Sequence, residues 1–220
     1  MRVPQLKHRL ALRWMHWLNF PLLGLMLWSG LLIYWANDVY AITLGGHRFH
    51  FFPHWIYQHL HLHYRLAEGM AVHFTLMWPF VLNGIAYLCF TGFSGEWREL
   101  IPNRQSWLGA VRVLLHELHL SKKPLPQAKF NAAQRIAYST IILCGAASVL
   151  TGLAIYKPTQ LAWLTRLLGG YQAARAEHFI LAMIYVVFFV VHVAQVAKAG
   201  WNNFRAMVSG YAWAERETAP

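Results

Sequence analysis

The sequence predicts an all-α membrane protein, a bundle of four transmembrane helices with both termini on the cytoplasmic side. Three observations carry that expectation. The 220 residues are 57% hydrophobic and only 12% charged, too apolar for a domain that lives in water. The apolar residues gather into four stretches of about 20 residues each, the length a helix needs to cross hydrocarbon. The cations are asymmetric: four Lys or Arg precede the first stretch, seven lie between the second and third, and three follow the fourth. The two remaining connections share five. Cations concentrate on the cytoplasmic side of a membrane protein, which puts both ends and the longest connection there. The net charge of +11 is then mostly topology, its remainder drawn to anionic headgroups, and no nucleic-acid partner is expected.

The elements follow in order. MRVPQLKHRLALR is basic and amphipathic, suited to the cytoplasmic interface before the first span, Trp14–Trp35. That span is not a cleaved signal peptide: its core is too long, Arg13 and His16 intrude, and no small-residue cleavage site follows. Gly24 and Gly30 lie on faces that admit a close helix or a flat cofactor. The outer segment to about Arg65 is aromatic and rich in histidine, with His47, His50, His54, His59, His61 and His63. Its HLHLH run would share one face as a strand but diverge on a helix. The smooth run into span two favours the helix, and hence a partner-contacting surface over a metal site. Span two, Ala67–Phe90, carries Pro79 at its middle, where a kink is expected.

In the inner connection, SWLGAVRVLLHELHL reads as an amphipathic helix lying on the membrane surface. His116 and His119 fall one residue short of the HExxH zinc spacing, so a metalloprotease is excluded. Span three is Ile136–Tyr156; Pro158 and Gly169–Gly170 then bracket a short outer loop before span four, His178–Ala197. Cys89 and Cys144 are lone thiols inside spans, with no CxxC and no CxxCH, which excludes a disulfide framework and covalent c-type haem. No internal repeat is evident, and a single domain over 1–220 is the simplest partition.

Four histidines fall inside the apolar stretches: His16, His73, His178 and His192. Ionisable groups within spans are functional candidates by default, because hydrocarbon penalises them. His178 and His192 are fourteen residues apart. On an α-helix that is about 21 Å of rise and nearly four whole turns, so both point to one face near opposite sides of the membrane. With both termini inside, His16 pairs in depth with His192 toward the cytoplasm, and His73 pairs with His178 in the outer half. Neutral imidazole is an axial ligand that adds no charge to the hydrocarbon. Four histidines matched in twos predict two six-coordinate b-type haems, their irons held by His16/His192 and His73/His178. The other reading of any single one is an interhelical hydrogen-bonding partner. Arg9 and Arg13 at the inner depth, and Arg65 and Arg175 at the outer, are placed to meet haem propionates or simply to snorkel.

Over nearly its whole length the chain resembles the cytochrome b561-type di-haem subunits of membrane oxidoreductases, the cytochrome b subunits of thiosulfate reductase, formate dehydrogenase and nickel–iron hydrogenase. The resemblance rests on R-W-M-H-W (Arg13 to Trp17), K-F-N-A-A-Q-R (Lys129 to Arg135), T-G-L-A-I-Y-K-P (Thr151 to Pro158) and A-R-A-E-H-F (Ala174 to Phe179) with His192 beyond. L-G-G-Y and N-N-F-R-A-M-V-S-G-Y point within that family to the thiosulfate-reductase-like group. The resemblance implies a quinone, menaquinone or ubiquinone, at the segment Phe130–Gln134. There Asn131 would bond a quinone carbonyl, with the Ala133 backbone and the His192 region nearby. Ala133 stands where some members have glycine, and Asn131 would equally cap span three. The resemblance further implies a bacterial inner-membrane location and a periplasmic molybdenum or iron–sulfur oxidoreductase as partner. On that reading the chain is the electron-transfer subunit of a membrane oxidoreductase complex. A stand-alone quinone oxidoreductase acting on a small outer donor or acceptor is the alternative, and a structural anchor or metal transporter is a third.

Overall fold

A computed structural model describes residues 2–36, 41–50, 52, 54–62, 64–117, 119–120 and 130–215. In chain order the elements are β1 (Arg2–Leu6), α1 (Leu10–Ala36), β2 (Ala41–Leu44), β3 (His47–His50), α2 (His54–His59), α3 (Leu66–Ser94), α4 (Trp97–Leu100), α5 (Arg104–Glu117), α6 (Ala132–Tyr156), α7 (Ala162–Leu167), α8 (Tyr171–Ala199), α9 (Trp201–Ser209) and β4 (Tyr211–Glu215). Four helices, α1, α3, α6 and α8, are long and apolar enough to cross a membrane. Each contains one expected span and starts earlier than expected. The largest difference is at α8, which begins at Tyr171 and not at His178. Its polar first turns, with Gln172, Arg175 and Glu177, carry no hydropathy signal yet continue the helix. His178 therefore lies two turns inside α8, not at its end.

The all-α expectation is corrected to mostly helical, because two antiparallel ladders are present, β1 with β4 and β2 with β3. Gly45 and Gly46 both have positive φ, 59° and 80°, which lets the β2–β3 hairpin turn tightly. The β1–β4 ladder is unexpected, since the opening stretch was read as an interfacial segment. Pro4 lies opposite Trp213 and has no N–H to offer it. Asn202 bonds the Trp213 backbone instead: its Nδ2 donates to the Trp213 carbonyl (3.1 Å) and its Oδ1 accepts the Trp213 N–H (2.9 Å).

The chain divides into two compact units, Met1–Tyr87 with Trp201–Pro220, and Leu88–Gly200. In the first, Leu32, Tyr34, Trp35 and Leu62 are buried, and Phe52 meets the rings of Tyr34 and Trp35 edge-on. The tail is tied to the start of α1: Trp17 Nε1 donates to the Met207 carbonyl (3.0 Å) and Arg13 Nη2 to that of Val208. In the second unit α6 lies against α8, with Ala154, Leu164 and Ala174 forming a buried patch under α7. The α5 helix leans on α6 where Gly109 faces Ala132; a Cβ on Gly109 would come within 2.7 Å of the Ala132 Cβ. At its end Glu117 accepts from Lys198 Nζ (2.5 Å), which holds the Glu117 carboxyl below its ordinary range.

Gly210 joins α9 to β4 with φ of 95°, and its carbonyl accepts the N–H groups of Lys7 (2.8 Å) and His8 (3.2 Å). A Cβ there would sit 3.0 Å from Arg13 Nη1 and 3.2 Å from the His8 carbonyl. Gly210→Ala is expected to destabilise the tail against α1 by about 1–2 kcal/mol, from strained backbone and crowding together. Thermal unfolding in detergent checks it; an unchanged midpoint would remove the argument.

Candidate functional site

His73 and His178 are presented in the same way in separate units. In the first unit α3 crosses α1 closely at Gly69, where a Cβ would lie 2.8 Å from the Leu32 Cβ and 3.1 Å from the Ser29 carbonyl. One turn further on, His73 Nδ1 sits 3.0 Å from Ser29 Oγ. Gly30 faces the same ring, its absent Cβ 3.6 Å from His73 Cε1. In the second unit His178 Nδ1 lies 2.9 Å from Thr151 Oγ1. Gly152 faces that ring, with 3.3 Å from its absent Cβ to His178 Cε1. Gly30 thus admits a ring, while Gly24 has nothing within 4 Å.

The hydroxyls bear on which ring nitrogen carries the proton. Each has a single hydrogen to donate. Ser29 Oγ has the Met26 carbonyl within reach (3.1 Å), and Thr151 Oγ1 those of Ala147 (2.8 Å) and Ser148 (3.2 Å). With that hydrogen given to the helix, each oxygen accepts from the imidazole, an arrangement that puts the proton on Nδ1 and the lone pair on Nε2. That is the form in which histidine binds a metal, its other nitrogen donating to a fixed acceptor. The donor chemistry of both rings fits a haem iron.

His16 and His192 are packed differently. His16 is half-buried on α1, edge-on to Trp17 at 5.2 Å. His192 is half-buried on α8 and stacks on Phe188, rings 5.7 Å apart and 10° from parallel. His178 and His192 share a face of α8, and Tyr185 lies midway between them on that face. It is buried at 8% exposure, its hydroxyl 3.1 Å from where a Gly145 Cβ would be. His16 and His73 belong to the first unit, His178 and His192 to the second.

A profile of the family described as prokaryotic cytochrome b561 matches residues 7–210. The chain belongs to the prokaryotic cytochrome b561 family. A relative from Azospira oryzae is 36% identical over 201 residues, covering 91% of this chain and 94% of its own length. Its name is "Putative protein-methionine-sulfoxide reductase subunit YedZ1". No solved structure gives a significant match. The relative is named for a different reductase from the thiosulfate-reductase-like group suggested by the tail motifs, so the b561 family is shown and that subgroup is not. Membership makes the chain a multi-pass membrane cytochrome of electron-transfer type, a family that binds haem b.

Of the residues that the b561 resemblance brought in, Asn131 has the clearest setting. It is the N-cap of α6: its Oδ1 accepts the Gln134 N–H (2.8 Å), and Gln134 Oε1 accepts the Asn131 N–H (3.0 Å). This reciprocal box commits Oδ1 to the helix. A bond to a quinone carbonyl has to come from Nδ2, which is the donor such a carbonyl needs. Phe130 packs edge-on to Tyr138 beside it, rings 5.3 Å apart, and Ala133 is half-buried in the first turn. Lys129, from the same motif, lies outside the described residues.

The four arginines are engaged locally. Arg13 is bonded to the Val208 carbonyl, Arg65 is paired with Glu68, and Arg175 lies over the Tyr171 ring at 5.8 Å with Gln172 as a further partner. The Glu68 partnership raises the Arg65 pKa further. Arg9 is exposed just before α1. Among the outer histidines, His47 and His50 lie on β3, His54 and His59 at the two ends of α2, and His61 in a turn, while His63 is outside the described residues. Among the described residues no three His, Cys, Asp or Glu side chains gather to hold a metal ion.

Ser29, Thr151, Gly69, Gly152 and Tyr185 went unnoticed in the sequence. The available signal was the likeness of S-G-L-L-I-Y (29–34) to T-G-L-A-I-Y (151–156) and of H-F-T-L (73–76) to H-F-I-L (178–181).

The two roles of Asn131 separate by substitution. Asn131→Asp keeps a capping oxygen and loses the Nδ2 donor; Asn131→Ala loses both, at about 1 kcal/mol for the cap. If Asn131 serves a quinone, Asp and Ala variants should both raise the KM for a short-chain quinol several-fold, with only Ala lowering the thermal midpoint. A normal KM in the Asp variant would leave Asn131 as a cap alone.

Proposed function

We propose that this chain is the membrane subunit that carries electrons between the quinone pool and a separate oxidoreductase at the periplasmic face. The observation that supports it most is the state of His73 and His178. These are two intramembrane imidazoles, each held by a hydroxyl in its iron-binding form, in a chain of the cytochrome b561 family. A haem b held by such residues supplies reversible one-electron transfer. His73 and His178 are proposed as one ligand pair and His16 and His192 as the other. That pairing rests on the depths read from the sequence with both termini in the cytoplasm. Of the proposed propionate partners, Arg175 is favoured, because it precedes His178 by one turn of α8 and its present partner is an uncharged Gln172. Arg9, Arg13 and Arg65 remain proposed for the same task, each at the expense of an existing contact.

At the cytoplasmic side we place the quinone, menaquinone or ubiquinone, at Phe130–Gln134. Asn131 Nδ2 donates to its carbonyl there and the ring of Phe130 gives it an apolar wall. The word "subunit" in the name of the Azospira relative favours a dedicated partner over a stand-alone oxidoreductase. By the same analogy the partner reduces methionine sulfoxide in proteins, and electrons then run outward from quinol. A molybdenum or iron–sulfur centre in that partner suits the one-electron traffic.

The purified protein is the place to test this. A pyridine haemochrome assay should give two non-covalent protohaems per chain, and a short-chain quinol should reduce them. His192→Ala should leave one haem and abolish reduction by quinol while dithionite still reduces what remains. Full haem content in that variant, or a wild-type protein that quinol leaves oxidised, would end the proposal.

A further inference from the structure

The device around His73 and His178 occurs twice, once in each compact unit, and sequence and geometry agree on its parts. Both histidines are the eighth residue of a 29-residue helix, α3 from Leu66 and α8 from Tyr171. Both are followed by Phe, one variable residue and Leu. Both are met by a hydroxyl–glycine pair on a neighbouring helix, Ser29–Gly30 on α1 and Thr151–Gly152 on α6. The likeness extends in register and then breaks: His16 lies thirteen residues before Ser29, and Tyr138 the same distance before Thr151. His192 lies fourteen residues after His178, and Tyr87 the same distance after His73. What both units share is therefore the outer histidine with its brace.

We propose that Ser29–Gly30 and Thr151–Gly152 are matched positioning pairs that fix the tautomer and ring plane of His73 and His178 and thereby set the reduction potential of the haem they bind. The proposal rests on the reading of these two histidines as ligands. Ser29 is fully buried and Thr151 is 3% exposed, so water does not compete for either imidazole N–H. Each hydroxyl already donates to a carbonyl of its own helix, and that polarisation makes its oxygen a better acceptor. A stronger bond to the Nδ1 proton makes the ring a more electron-rich ligand, which favours ferric iron and lowers the potential. The glycine beside each hydroxyl leaves room for the ring at van der Waals distance. A Cβ at Gly152 would press on His178 Cε1 at 3.3 Å, while one at Gly30 would stand in ordinary contact with His73 Cε1 at 3.6 Å. Thr151 is the stiffer of the two braces, because its branched Cβ restricts χ1.

The test uses the full-length protein in nanodiscs, read by redox titration of the α-band and by the low-spin EPR signal. Ser29→Ala and Thr151→Ala should each raise the midpoint of the same one of two components. A tenfold change in its reduction equilibrium is expected, about 59 mV for one electron. The haem-to-protein ratio and the second component should stay as in the wild type. Ser29→Thr and Thr151→Ser should restore the wild-type midpoint, which a mere packing role would not require. Unchanged midpoints and EPR signals in both Ala variants, with His73→Ala losing one haem, would overturn the brace while sparing the ligand reading. Retention of both haems in His73→Ala would overturn the ligand reading and the brace with it.

Discussion

An imidazole ring placed in hydrocarbon brings one N–H and one lone pair, and water is not there to meet either. The structure sets beside Nδ1 of two such rings a side-chain hydroxyl that also lies within hydrogen-bonding range of a carbonyl of its own helix. Much of the surrounding architecture serves that contact. In the first unit Gly69 lets α3 close on α1 until Ser29 and His73 are in hydrogen-bonding range. In the second, the small residues Ala154, Ala174 and Gly152 let α6, α7 and α8 come together around Thr151 and His178. A hydroxyl on a helix ordinarily bonds back to its own turn and adds little. Here the same back-bond, once made, turns the hydroxyl oxygen into an acceptor for the imidazole and so bears on the nitrogen where the lone pair resides.

Outside the spans, polar groups are satisfied by caps and carbonyls. The Asn131–Gln134 box closes the start of α6. Arg135 donates to the carbonyls of Arg98 and Ile101, and Ser139 to that of Leu100 (3.0 Å), which ties α4 and the turn after it to α6. The Glu117–Lys198 pair joins the end of α5 to the end of α8. That ion pair is exposed enough that geometry, more than energy, is its contribution. The segment proposed for quinone is thus built on an anchored helix start, with the Asn131 amide at its cap.

The four membrane helices were legible because hydropathy over twenty residues is a strong signal, and their true starts were not, because polar first turns such as Gln172 to Glu177 look like loop. The ligand candidates were legible for the same reason that a charge in oil is conspicuous. Their braces were hidden: Ser29 and His73 are 44 residues apart, Thr151 and His178 are 27 apart, and no periodicity connects them. The short ladders were beyond reach as well. Strand pairing between Arg2–Leu6 and Tyr211–Glu215 depends on a partner at the other end of the chain, and Pro4 argues locally against a strand. Asn131 showed both of its faces in the sequence, and only the hydrogen-bond directions assign its oxygen to the helix.

The ladder between the first and last strands has a bearing on how the molecule is made. Arg13 meets a carbonyl 195 positions downstream, and β1 has no strand to lie against until β4 has left the ribosome. The N-terminal end of the opening helix is therefore fastened only after β4 has been made. Nascent chains halted before residue 211 would carry an unpaired β1 edge. A reporter fused after the tail would thus inform on a finished fold, while one fused within it would sample a chain that has yet to lock.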